Sequence, residues 1–246
     1  LTAVPRGATT LSFMKMDWSY PVHKSAEVER TSGTAPVAMR RALSREEALR
    51  SIAGQDPRPL LVLRECSVCN KTDDALLKGG SENDRTLVLA RWFNCVKLPL
   101  DVVDPTHPFN ALFPNDESEH LFLALADGSS KIPLESDGSR TELWTGMSRV
   151  LELAYEKNPA PAYADVLKRF TKIDILDAKI IEEEAKKGLE MESLRPDRKK
   201  VDDVERKIAD VRAQIDAEKA AVEKLMTLAP RPPAVAKPSV PAKAAR

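Results

Sequence analysis

Two cysteines two residues apart, Cys66 and Cys69, carry the clearest chemical signal in this chain of 246 residues. They follow Leu60-Leu61-Val62-Leu63, a run with the length and composition of a buried strand, and then Arg64-Glu65. Thr72 to Lys78 reads as a short helix stopped by Gly79-Gly80. A cysteine where strand gives way to helix meets the unpaired N–H groups and positive dipole end of that helix. Both favour thiolate, which makes Cys66 a candidate nucleophile. Cys69 is placed to attack a mixed disulfide formed on Cys66. The chemistry that this spacing suggests is thiol–disulfide exchange.

The elements that must position these thiols come from local signals. Ser44 with Glu47 is a capping box, and Leu43, Ala48, Leu49 and Ile52 share a face, which predicts a helix over 45–53. Asn83 or Asp84 caps a further helix running to about Phe93. Val96 to Val103 reads as a strand, with Pro99 unsuited to a central place in a sheet. The prolines of 104–119 indicate a loop. Leu121 to Ala126, the Asp127-Gly128 turn and Lys131 to Glu135 form a hairpin, and a helix opening at Thr141 carries Leu143, Met147, Val150, Leu151 and Ala154 on one side. Upstream, Leu11 to Trp18 alternates in the manner of an edge strand, and the rest of 1–42 reads as an irregular extension.

The C-x-x-C of Cys66 and Cys69, the apolar strands at 60–63 and 121–126, the Asp127-Gly128 turn and the closing hairpin-plus-helix together resemble the thioredoxin-like superfamily. The resemblance covers under half of the chain, and it implies a three-layer α/β sandwich over 43–158. It also implies that Cys66 attacks and that Cys69 is the buried resolving thiol. Three positions depart from the family pattern. Glu65 stands where Trp is usual, Ser67-Val68 where Gly-Pro is usual, and His120 where a cis-proline precedes the hairpin. A carboxylate beside Cys66 would oppose the helix dipole. The placing of His120 opens a second chemistry, because Cys66, Cys69 and His120 together suit copper or zinc. It would resemble copper-delivering relatives of thioredoxin, which have three residues between their cysteines. A structural vestige without chemistry is a third reading.

Pro159 and Pro161 mark a boundary, and beyond it the periodicity becomes helical. Val166, Ile173, Leu176 and Ile180 fall on a seven-residue frame. So do Val201, Val204, Ile208, Val211, Ile215, Val222 and Leu225, with Glu218 alone breaking it. Pro196 separates the two stretches. The pattern predicts an antiparallel coiled-coil hairpin over 162–229, about 48 Å long. Folding it about Pro196 places Leu176 near Ile215 and Phe170 near Val222. Towards the tip Glu182 to Lys187 face an arm that is still apolar at Val201, Val204 and Ile208, so the tip is either loosely packed or pairs with another chain. Residues 230–246, rich in Pro, Ala and Lys and lacking acids, read as a disordered tail.

Composition bounds the rest. Thirty-eight basic and 38 acidic residues cancel, which gives no electrostatic case for nucleic acid. No apolar run approaches a membrane span. Three cysteines are too few for a disulfide framework, and they suit a reducing cytosol or, slightly favoured, a redox-active extracytoplasmic protein. Cys95 reads as a buried thiol, and His23 and His107 have no partner pattern. Trp18, Trp92 and Trp144 read as core or cover residues. No phosphate-binding glycine loop, H-E-x-x-H or serine elbow occurs, so no cofactor is expected. The functional expectation is a disulfide oxidoreductase using Cys66 and Cys69, with the coiled coil mediating protein partners or self-association. The alternatives are a non-catalytic adaptor using the same modules, and a Cu/Zn carrier.

Overall fold

The computed structural model describes residues 6–22, 41–65, 76–77, 83–113, 119–135 and 138–231. Among these residues the protein is a mixed α/β structure. Its five strands are β1 (Trp18–Ser19), β2 (Leu60–Arg64), β3 (Asn94–Leu98), β4 (Glu119–Ala124) and β5 (Ile132–Glu135), in the sheet order β1-β3-β2-β4-β5. β2 lies at the centre, parallel to β3 and antiparallel to β4, while β1 runs parallel to β3 at one edge. β5 closes the other edge antiparallel to β4. Pro133 in β5 pairs opposite Phe122. It has no N–H to offer a further strand, which suits an edge position.

The period-2 pattern of β2 divides the core. Leu61 and Leu63 join one buried cluster, Leu60 and Val62 another. The second cluster includes Ala48, Leu49 and Ile52 of α2 (Arg45–Ala53), with Phe109, Leu112 and Phe113 from the connection after β3. α2 forms where its capping box predicts: Ser44 accepts from the Glu47 N–H and Glu47 caps the Ser44 N–H in return. The first cluster gathers residues of α1 (Ala8–Phe13), α3 (Asp84–Ala90), α4 (Arg140–Ala154), α5 (Tyr163–Met191) and α6 (Arg198–Met226). On α4 the predicted face Leu143, Met147, Val150, Leu151 and Ala154 is buried. A Cβ at Gly146 would stand 3.0 Å from the Leu123 side chain, so the glycine allows α4 to lie close against β4.

Several elements differ from the sequence reading. Leu11 to Trp18 is not an edge strand. α1 takes Leu11 to Phe13, because Thr10, Phe13 and Met14 are buried together at helical i, i+3, i+4 spacing, and only Trp18–Ser19 enters the sheet. The strand expected over Val96 to Val103 is β3, two residues earlier. Pro99 ends it, and Leu100–Val103 turns as a short 3-10 helix. α3 stops at Ala90 rather than Phe93. The turn at Asp127-Gly128 forms as expected, with Gly128 at φ +79° and its N–H on the Leu125 carbonyl.

α5 and α6, each of 29 residues, lie side by side and antiparallel. The ion pairs Arg169–Glu218, Glu184–Arg212 and Glu190–Lys200 fix that direction, since numbering rises along one helix as the partner's falls. Glu218, the residue that breaks the apolar frame, accepts from Arg169 at 2.7 Å and Lys172 at 2.6 Å, so it ties the two arms in register. The apolar cluster does not stop at Pro159 and Pro161. Val166, Phe170, Ile173, Leu176, Val211, Ile215 and Val222 belong to the same buried group as Leu61, Leu63 and Leu123.

The chain ahead of α1 straps the first arm to α3. Arg6 bonds Asp84 of α3 and Asp174 of α5, each at 2.8 Å, with Asp174 almost wholly enclosed. Gly7 N–H also reaches Asp174, and Phe13 sits 5.8 Å from Phe170 between ring centres.

Candidate site at the carboxyl end of the central strand

β2 ends where the C-x-x-C sequence begins. Arg64 continues the alternation of Leu60 and Val62, so its guanidinium turns into the second cluster and is buried. The next pair after Leu63 and Leu121 sets Arg64 opposite His120, which alternates with Phe122 and Ala124 and is buried too. A buried cation of this kind needs acceptors. Arg64 Nε donates to the Glu119 carbonyl at 3.2 Å, and Nη2 lies 3.1 Å from His120 Nδ1. Its guanidinium carbon stands 5.6 Å from the centre of the Phe113 ring. Because guanidinium only donates, Nδ1 of His120 is the acceptor in this contact.

Two ion pairs flank this contact. Glu65, the last described residue before Cys66, meets Lys97 of β3 at 2.9 Å. Glu119 Oε1 meets Lys131 at 2.5 Å, in ion contact without hydrogen-bond alignment. Lys131 also donates to the Leu112 carbonyl and lies 4.6 Å from the Phe122 ring centre. At this end of the sheet Glu65 pairs with Lys97 and Glu119 with Lys131, while Arg64 meets His120. The carboxylate expected to oppose a thiolate is thus neutralised by Lys97.

Cys66 and Cys69 themselves lie outside the described residues, so their geometry to Arg64 and His120 is not part of this site. For metal carriage by Cys66, Cys69 and His120, the Nδ1 of His120 is already engaged by a cation, which disfavours a metal on that nitrogen. Among the described residues no group of three His, Cys, Asp or Glu side chains is placed to hold a metal ion. Cys95 is enclosed in β3, and burial pushes its thiol up to about 12. At ordinary pH it is a protonated, inert group. His107, read as a loop residue without partners, is buried. Its Nδ1 accepts the Phe109 N–H at 3.1 Å, and its Nε2 is 3.8 Å from Asp101.

A separate groove of about 410 Å³ lies between β5 and the first turns of α4, lined by Ile132, Leu134, Thr141, Thr145, Gly146 and Arg149 among others. It holds no nucleophile–base arrangement. Its one carboxylate among the described residues, Glu142, is committed to Ser139 in the cap of α4 and is held below the ordinary glutamate value by that bonding.

Sequence reasoning missed Arg64. The signal was there, since a residue of the same parity as Leu60 and Val62 must point inward unless the strand ends first. No helix among the described residues is long and apolar enough to cross a membrane. Comparison with protein-family models, with curated proteins and with solved structures finds no match for this chain.

Proposed function

We propose that this protein is a thioredoxin-like dithiol protein whose paired helices, acting as a coiled coil, supply contacts to protein partners or to a second copy. The observation that carries this reading is the place of the C-x-x-C in the chain, directly after the central strand of a mixed sheet. Ligands of open α/β sheets gather at such strand ends. The order of elements around it (strand, C-x-x-C, helix, strand, hairpin, helix) is the order that the resemblance implies.

In this reading the Cys66 thiolate attacks one sulfur of a substrate disulfide, forming a mixed disulfide and releasing one substrate thiolate. Cys69 then attacks Cys66, frees the second substrate thiol and leaves Cys66 and Cys69 oxidised to a disulfide. A dithiol reductant must return the pair to the reduced state. Insulin reduction in the presence of dithiothreitol tests this. Wild type should accelerate precipitation of the insulin B chain, and Cys66→Ser should abolish the acceleration. A wild type no faster than dithiothreitol alone rejects exchange activity.

A second reading, a non-catalytic adaptor, is favoured by the exposure of Ile175, Ile181, Leu189 and Met191 on α5, apolar surface that a docking rod would use. Inactive wild type that sediments as a dimer, or binds a partner through α5 and α6, would support it.

A further inference from the structure

Arg85, in the first turn of α3, is a cation without an anion. Its guanidinium carbon lies over the Trp144 ring of α4 and over the Tyr163 ring at the start of α5, 4.9 Å from each centre. It makes no hydrogen bond and no ion pair among the described residues, and its Nε is sealed from solvent with no acceptor. Nη1 and Nη2 are not sealed. The sealed Nε is out of reach of a ligand, so an oxyanion would meet Nη1 and Nη2, the end-on pair of donors.

The surroundings look arranged to leave that position open. The sequence neighbour Asp84 is taken by Arg6, which also holds Asp174. Asp165, two residues beyond Tyr163, pairs with Lys168. Among the described residues Asp84 and Asp165 are therefore committed elsewhere, and Glu142, two residues before Trp144, is held by Ser139. The Trp144 wall is fixed in turn: its Nε1 donates to Thr86 Oγ1 at 2.8 Å, Thr86 donates to Asn83 Oδ1, and Asn83 Nδ2 donates to the Leu76 carbonyl. A planar fork held between two aromatic rings has lost its rotamer freedom in advance and presents parallel donors to a planar or tetrahedral oxyanion.

We propose that Arg85, with Trp144 and Tyr163 as walls, is a binding site for an oxyanion, the carboxylate or phosphoryl group of a small ligand. The site belongs to α3, α4 and α5, and it does not depend on the dithiol reading. The bland alternative is a cation–π staple with no ligand, and the test separates the two. The full chain is titrated at constant ionic strength with sodium phosphate, with sodium acetate and with sodium chloride, following the Trp144 indole N–H signal by NMR. A saturable shift with phosphate or acetate, half complete at about 1–10 mM as a single charged contact allows, and none with chloride, is expected. Saturation with phosphate alone identifies a phosphoryl ligand; saturation with acetate also identifies a carboxylate. Arg85→Lys, which keeps the charge but loses the fork, should weaken binding about tenfold, and Arg85→Met should abolish it. Circular dichroism checks that each variant is folded, and Arg85→Lys suffices if Arg85→Met is not. No saturable shift in wild type, or an unchanged one in Arg85→Lys, overturns the proposal and leaves a staple.

Discussion

The base and the tip of the paired helices are built from the same two elements but have opposite interiors. At the base, Val166, Phe170, Ile173 and Leu176 of α5 lie in one buried cluster with Val211, Ile215 and Val222 of α6 and with the sheet. Towards the tip the buried position on α5 is Glu183, with Oε1 on Lys186 and Oε2 facing no donor. Across from this stretch Ile208 is still buried, but Val204 and Val201 are only half covered. Lys187 leaves α5 to pair with Glu205. The base is thus core of the α/β domain in all but name, and the tip is a pair of charged helices held by a short apolar remainder. One pair of helices thus holds two different interiors.

That contrast can be broken at several points. Deleting 162–231 should do most, because it strips the first cluster of Val166, Phe170, Ile173, Leu176 and Val222. From the prolines at 159 and 161 alone, 43–157 would be expected to fold without the helices. The continuous cluster predicts instead a segment that binds hydrophobic dye and lacks dispersed NMR signals, and a well-dispersed spectrum would show that the base is not core. Next in size is Phe170→Ala, which removes a fully buried ring packed on Phe13. Denaturant unfolding should register a loss of about 3–5 kcal/mol. Arg6→Met leaves Asp84 and Asp174 facing each other without their cation. A loss of about 1–3 kcal/mol is expected, short of a fully buried pair because Arg6 keeps some solvent contact.

At the small end, Val201→Ala at the tip should cost less than about 1 kcal/mol, and a loss as large as that of Phe170→Ala would erase the distinction drawn here. The joint between the halves should respond to acid. The hydrogen bond from Lys172 holds the Glu218 carboxylate below the ordinary glutamate value, with Arg169 adding to it against the cost of burial. A depressed folded value means that the contribution is complete above the unfolded glutamate pKa, about 4.3, and fades as pH falls through the folded one. Thermal melts from pH 6 to 3 should therefore fall less steeply for Glu218→Gln than for wild type.

Much of this architecture was legible beforehand wherever one residue's role follows from its near neighbours. The capping box at Ser44 and Glu47 placed α2 to the residue. The period of 3.6 put Leu143, Met147 and Val150 on the buried side of α4, and folding the chain back at Pro196 gives the antiparallel direction that the Arg169–Glu218 and Glu184–Arg212 pairs display. The failures have a common cause. Leu11 and Phe13 alternate as a strand would, yet Thr10 and Phe13 are the residues that meet Phe170 of α5, and nothing local says that α5 will be there. Glu218 read as a flaw in a stripe until two cations of the opposite arm were found beside it.

The sequence by itself determined where α2 and β2 lie, which faces of α2 and α4 are apolar, and that a C-x-x-C follows the run that becomes the central strand. These are properties of neighbours a few residues apart, set by backbone geometry and side-chain period. The tertiary structure alone decided that Arg64 meets His120, that Arg6 bridges α3 and α5, that Arg85 lies between Trp144 and Tyr163, and that the base of the helical pair is continuous with the core. Each of those contacts joins residues dozens of positions apart, and whether a buried charge is tolerated depends on the partner that folding delivers to it.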